Sequence, residues 1–177
     1  MGGGDSISLN QFLHAVLYNK YKPLSLEELI DFMKSHDDMY VVTDKLFTDA
    51  KPEKIIQQII SFSESKDAVL DRFIIQVYDE KNFFLIDALH HFKNYIYTTY
   101  CENEERIYKT AVFCIKNNIP VITMWHERAQ KADITLLTEK GLHIYTHTVN
   151  TQEEYEQDKD LGITGVYTDF LIPNNTR

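Results

Sequence analysis

Gly141-Leu142-His143-Ile144-Tyr145-Thr146-His147-Thr148-Val149-Asn150-Thr151, followed by Asp160-Leu161-Gly162-Ile163-Thr164-Gly165-Val166-Tyr167-Thr168-Asp169-Phe170, is the stretch on which the fold turns. His143 to His147 mixes β-branched and aromatic residues, which suits a strand. Thr151 with Glu154 forms a capping box, a side-chain acceptor paired with a reciprocal carboxylate, and so marks a helix start. Gly162 closes that helix, and Gly165-Val166-Tyr167-Thr168 reads as a second strand. Strand, helix and strand in this order make a crossover unit, and crossovers join parallel strands.

The unit repeats toward the N-terminus. Tyr40-Val41-Val42-Thr43, Phe73-Ile74-Ile75-Gln76-Val77, Tyr95-Ile96-Tyr97-Thr98-Thr99 and Val121-Ile122-Thr123-Met124-Trp125 read as four further strands, and successive strand starts lie 22 to 33 residues apart. Those intervals are too long for hairpins and suit a strand, a helix and two short loops. Ser25 with Glu28 makes another capping box, ahead of Leu26, Leu29, Ile30 and Met33 at helical spacing. Ile55, Ile56, Ile59 and Ile60 follow Pro52, while Ile107, Ala111, Cys114 and Ile115 mark a later helix, and Leu136 and Leu137 one closed by Gly141. At the start, Ser8 and Gln11 resemble a third box, with Leu9, Phe12, Leu13 and Val16 as one apolar stripe. Spacing alone leaves an open doubly wound sheet and a (β/α) barrel both standing; a whole barrel takes about eight strands and roughly 250 residues.

The chain has 177 residues, 44% hydrophobic and 12% aromatic, enough for one full core and too apolar for a disordered chain. Its 18 Lys and Arg against 27 Asp and Glu leave a net charge of −9, which repels phosphate backbones and excludes a surface built for nucleic acid. No apolar run approaches the roughly 20 residues of a membrane span, and Met1-Gly2-Gly3-Gly4-Asp5 is neither basic nor apolar, so the expectation is a cytoplasmic chain. The two cysteines, Cys101 and Cys114, lack metal-site spacing and read as buried free thiols. No G-x-S-x-G, phosphate-cradling glycine loop or G-x-G-x-x-G is present, and any Ser-His-Asp assignment would be arbitrary.

The stretch quoted first resembles the C-terminal signature of the glycerophosphodiester phosphodiesterase family: a strand ending in W-T-V-N, a helix, then D-L-G-V-D-G-I-x-T-D. Pro23-Leu24-Ser25-Leu26-Glu27-Glu28-Leu29-Ile30 resembles the family's P-T-L-E-E-L-L, and Arg72-Phe73-Ile74-Ile75-Gln76 its I-I-Q-S-F strand. The resemblance runs from about Tyr21 to Leu171. It implies an α/β fold, an incomplete (β/α)8 TIM-type barrel of about six parallel strands each followed by a helix, with the first two strands missing. Residues 1–20 are then an N-terminal segment with one amphipathic helix, and 21–177 the barrel domain.

The resemblance also implies a metal-dependent hydrolase acting on a glycerophosphodiester-type small molecule, with Ca²⁺ or Mg²⁺ as cofactor. The family's H-R-G, E-x-D and H-D motifs do not occur in this sequence, so the resemblance implies that both acid/base histidines are lacking and that hydrolysis is weak or absent. General acid/base groups typically contribute factors of about 10² to 10⁴ each. The family's E-x-K should fall at Val42-Thr43-Asp44-Lys45-Leu46. With Asp44 in the Glu place, Leu46 takes the Lys place; with Lys45 aligned, Thr43 replaces the ligand. Asp44 is thus the candidate metal ligand, against an acidic rim residue that holds no metal.

His147, in the family's Trp position, Trp125 and Gln76 are the candidate substrate contacts. For each a plainer role stands beside the functional one: a strand-end cap for His147, rim packing for Trp125, a buried amide needing partners for Gln76. Asn150 and Asp169 read as loop-fixing residues, and His90 and His91 as solvated helix-end residues. Unpaired strands at Tyr40 and Gly165 predict self-association, or pairing with a separately supplied N-terminal segment. The competing reading is a non-catalytic binding or assembly module, or a gene fragment.

Overall fold

The computed structural model describes residues 8–44, 51–64, 66–100 and 104–172. A short helix, α1 (Leu9–Leu13), precedes α2 (Leu26–Lys34) and strand β1 (Val41–Val42). Then come α3 (Pro52–Phe62), α4 (Asp67–Leu70), β2 (Phe73–Val77), α5 (Glu80–Leu89) and β3 (Asn94–Thr98). The chain continues with α6 (Glu104–Lys116), β4 (Val121–Trp125), α7 (His126–Ala129), α8 (Ile134–Glu139), β5 (His143–His147), α9 (Gln152–Asp160) and β6 (Gly165–Val166).

All six strands are parallel and lie in the order β1-β2-β3-β4-β5-β6. A doubly wound sheet reverses its order at a switch point. This one does not, and it curls into an incomplete TIM-type barrel with the helices between its strands, as expected. The expected capping boxes form at Ser8, Ser25 and Thr151. Gly141 and Gly162 take φ of +82° and +85°, the left-handed conformation that lets each preceding helix stop.

Two differences from the sequence reading have local causes. The outer strands are shorter than expected, two residues each, because each has a ladder partner on one side only. The α1 stripe ends before Val16, because the chain leaves the helix for a tight turn that bridges Leu17 and Tyr21, with Tyr18 and Asn19 at φ of 52° and 54°. None of the α1 residues is buried.

Alternation along each strand divides the sheet into two faces. Phe73, Ile75 and Val77 of β2, Tyr95 and Tyr97 of β3, Ile122 and Met124 of β4 and Ile144 of β5 point to the convex face. There they join Ile30, Met33, Ile56, Ile59, Ile86 and Leu137 from the helices in one core. Cys114 belongs to this core, and burial pushes its thiol up to about 12; Cys101 lies outside the described residues. The other set, Ile74 and Gln76, Ile96, Val121 and Thr123, Tyr145 and His147, lines the concave face.

Two buried charged groups hold elements to the sheet. Arg72, 7% exposed, precedes β2; its guanidinium donates to the carbonyls of Met33 (2.8 Å), His36 (2.6 Å) and Ala68 (2.9 Å), tying the end of α2 to α4. Asp158 of α9, 1% exposed, accepts from Thr146 of β5, from His126 Nδ1 at 2.9 Å and from Gln130 at 3.2 Å, so α7 and α9 are both pinned to β5. Hydrogen bonds to charged groups contribute about 1.5–3 kcal/mol each, and a carbonyl left unpaired adds a desolvation cost. Arg72→Ala should therefore destabilise the fold by about 3 kcal/mol in urea unfolding, with Arg72→Lys intermediate.

Candidate functional site

The C-terminal ends of the strands surround a cavity of about 450 Å³, lined by Val42, Asp44, Gln76, Tyr100, Thr123, His147 and the β6 end, Tyr167 to Asp169. These positions follow from the alternation. Gln76, Thr123 and His147 are concave-face residues near the tops of β2, β4 and β5, and the chain brings Asp44 to the same rim just beyond β1. Three of the four expected site residues, Asp44, Gln76 and His147, thus meet at one cavity. Trp125 stands one ring away, 47% exposed, with its indole edge-on to Tyr100 at 5.4 Å between ring centres.

A polar chain joins the first two strands at the rim. The Gln76 side-chain amide donates to the Tyr78 hydroxyl, and that hydroxyl donates to Asp44 Oδ1. The Gln76 backbone N–H donates to Thr43 Oγ1 at 3.0 Å. Gln76 is therefore a buried amide with partners, and it points inward to the cavity. Across the cavity, His147 Nδ1 lies 3.1 Å from Thr123 Oγ1, while its Nε2 is buried with no hydrogen-bond partner. Burial holds the imidazole below its ordinary value of 6.5, outweighing the opposite pull of Asp44 and Glu127, so the ring is neutral at pH 7. Burial likewise pushes the Tyr167 phenol up to about 12, assisted by Tyr145 and the Asp44 charge; it is a hydroxyl, not a phenolate.

Aromatic rings form a continuous wall. Tyr78 stacks on Tyr100 at 5.9 Å, Tyr100 meets His147 at 6.0 Å, and His147 meets Tyr167 at 6.3 Å. Sequence reading missed these tyrosines, although a period of two from Gln76 reaches Tyr78 and from Thr98 reaches Tyr100. Asn150 and Asp169 fix the loop after β6: Asn150 Nδ2 donates to the Asp169 carboxylate at 3.1 Å, and the Asp169 N–H donates back to Asn150 Oδ1 at 2.9 Å. His90 caps the end of α5, and His91, exposed, pairs with Asp87 at 2.7 Å.

A hard divalent cation takes six or more oxygen ligands. Among the described residues no three His, Cys, Asp or Glu side chains come together to hold one. Of the carboxylates at the cavity, Asp44 receives the Tyr78 hydroxyl and Asp169 the Asn150 amide. These donors do not fit the Ca²⁺ or Mg²⁺ that the resemblance implies. The described lining also contains no Lys or Arg. What it offers a ligand is hydroxyls, aromatic faces, a neutral imidazole and carboxylates. Because His147 titrates lower folded than unfolded, the unfolded chain binds the proton more readily below pH 6.5, and stability falls as pH drops. His147→Gln should flatten that fall in pH-dependent urea unfolding, and NMR of the imidazole should show its midpoint below 6.5.

No protein-family model matches the sequence, and no curated protein does. Among the described residues no helix is long and apolar enough to cross a membrane. Solved structures do match. A provisionally assigned glycerophosphodiester phosphodiesterase from Galdieria sulphuraria superposes at a TM-score of 0.68 with 12% identity, over 93% of this chain and 67% of that one. A provisionally assigned glycerophosphoryl diester phosphodiesterase from Silicibacter pomeroyi gives 0.59 at 15% identity, over 82% and 52%. A glycerophosphoryl diester phosphodiesterase from Parabacteroides distasonis gives 0.55 at 18%, over 85% and 53%. The chain thus spans about half to two thirds of the length of these structures. A likeness at such low identity speaks for architecture, and in architecture the chain is part of a glycerophosphodiester phosphodiesterase-like (β/α) barrel.

Proposed function

We propose that this chain forms the ligand-facing wall of a glycerophosphodiester phosphodiesterase-like barrel and does not hydrolyse a phosphodiester by itself. The observation that carries this reading is the make-up of the rim. Asp44, Gln76, Tyr100, His147 and Tyr167 converge on one cavity, with Trp125 behind Tyr100, in the place where barrel enzymes of this architecture act. Their chemistry is that of binding and positioning. The one imidazole there has a buried, covered Nε2, and no basic side chain of the described lining offsets phosphate charge. The motifs that would bring acid/base histidines are not in the sequence.

In this reading Asp44 serves the Tyr78 hydroxyl rather than a metal, since two carboxylates already taken by side-chain donors do not hold a hard cation tightly. His147, Gln76 and Trp125 are substrate contacts through hydrogen bonds and an aromatic face. Full turnover would need a further segment carrying the histidines and pairing with the open sheet.

The test is incubation of the chain with glycerophosphocholine and either Ca²⁺ or Mg²⁺. The expected outcome is no product above that of Asp44→Ala. Robust turnover that Asp44→Ala abolishes would show the reading wrong.

A further inference from the structure

Outside the barrel, a second cleft of about 310 Å³ opens between α6 and the α7–α8 segment. Its apolar surface comes from Ile107 of α6 and from Leu136 and Leu137 of α8, with Tyr108 beside them. Arg128 of α7 supplies its one guanidinium. Arg128 has no hydrogen-bond or ion-pair partner among the described residues, and its Nε and Nη2 are both buried without one. Covering those two nitrogens unpaired is costly: their donors lose water and gain nothing in return.

The acids that share this cleft are already engaged. Lys109 Nζ lies 2.7 Å from Glu105, and Asp133 caps α8 by accepting the Leu136 N–H at 2.9 Å. A second cation flanks the cleft, with Lys140 Nζ 5.6 Å from the centre of the Tyr108 ring. The arrangement is an apolar slot with an unanswered positive charge inside it and acids nearby that would disfavour a dianion. Its volume falls within the usual range of small-ligand sites, about 300–1,000 Å³.

We propose that this cleft binds a small monoanionic carboxylate with an apolar body, such as a short aliphatic or aromatic acid, through Arg128. The carboxylate meets the guanidinium at Nη1, a turn of the side chain brings the covered Nη2 into the same pairing, and the hydrocarbon portion lies on Ile107, Leu136 and Leu137. The site shares no described lining residue with the rim cavity.

The experiment is thermal unfolding of the whole chain with hexanoate, hexanamide or inorganic phosphate at matched ionic strength, followed by calorimetric titration of the acid. Hexanoate at ten times its Kd should raise the melting temperature by about 3 °C, and hexanamide and phosphate by much less. Arg128→Met should lose the hexanoate effect. Should that variant fail to fold, Leu136→Glu, at a 38% exposed position, should abolish binding by placing a carboxylate in the slot. No stabilisation by hexanoate would overturn the proposal. So would an equal shift with hexanamide, or a shift that survives in Arg128→Met or Leu136→Glu.

Discussion

Each strand after β1 is reached by a crossover from the one before, and that single constraint shapes the molecule. Right-handed crossovers between neighbouring parallel strands place each helix on the same side of the sheet. With the order running β1 to β6 without reversal, the crossover helices gather on the convex face and the sheet curls away from them. The apolar core is therefore one-sided. Phe73, Ile75, Ile122, Met124 and Ile144 meet helices, while their strand neighbours Ile74, Thr123 and Tyr145 face a hollow.

The hollow is what makes a site available. Side chains at the C-terminal ends of successive strands converge because the sheet is curved, and the two-residue period fixes which of them do so. Gln76, Thr123 and His147 arrive together from strands distant in sequence, and rim tyrosines complete the wall. Gly165 shows how tightly the lower part of the hollow is fitted, since a Cβ there would stand 2.8 Å from the Tyr145 ring. Buried polar ties keep the rim in place from behind. Thr146, the neighbour of His147, donates to the same Asp158 that holds α7 and α9, so the end of β5 is anchored on its convex side while its concave side meets the cavity.

Much of this was legible in the sequence, and the reason is local. Strands β2 to β5 announce themselves as β-branched and aromatic runs, and Ser25-Glu28 and Thr151-Glu154 declare their helices by capping chemistry that needs no tertiary partner. Their even spacing gave a parallel sheet, and the motif after Gly141 pointed to the barrel that the solved structures share. What stayed hidden depends on contacts between segments. Helices α4 and α7 are single turns without their own periodicity. Arg72 reads as an ordinary charged residue until three carbonyls from α2, α4 and the loop after α2 converge on it. Asp44 suggests a metal by its place along the chain, but its neighbour across the rim is a tyrosine hydroxyl. Tyr78 and Tyr100 lie just past strand ends, where a reading of strands alone stops short.

The account depends on a sheet that is sealed on its convex face and has β1 and β6 as edges. Native-state hydrogen exchange, read amide by amide, tests this directly. The amides of Ile75, Tyr97, Ile122 and Ile144, inside β2 to β5, should exchange only on global unfolding, and those of β1 and β6 by much smaller local openings. Protection at Val42 and Val166 equal to that at Ile122 would contradict the account, because it would require strands paired on both sides where the open sheet has only one neighbour.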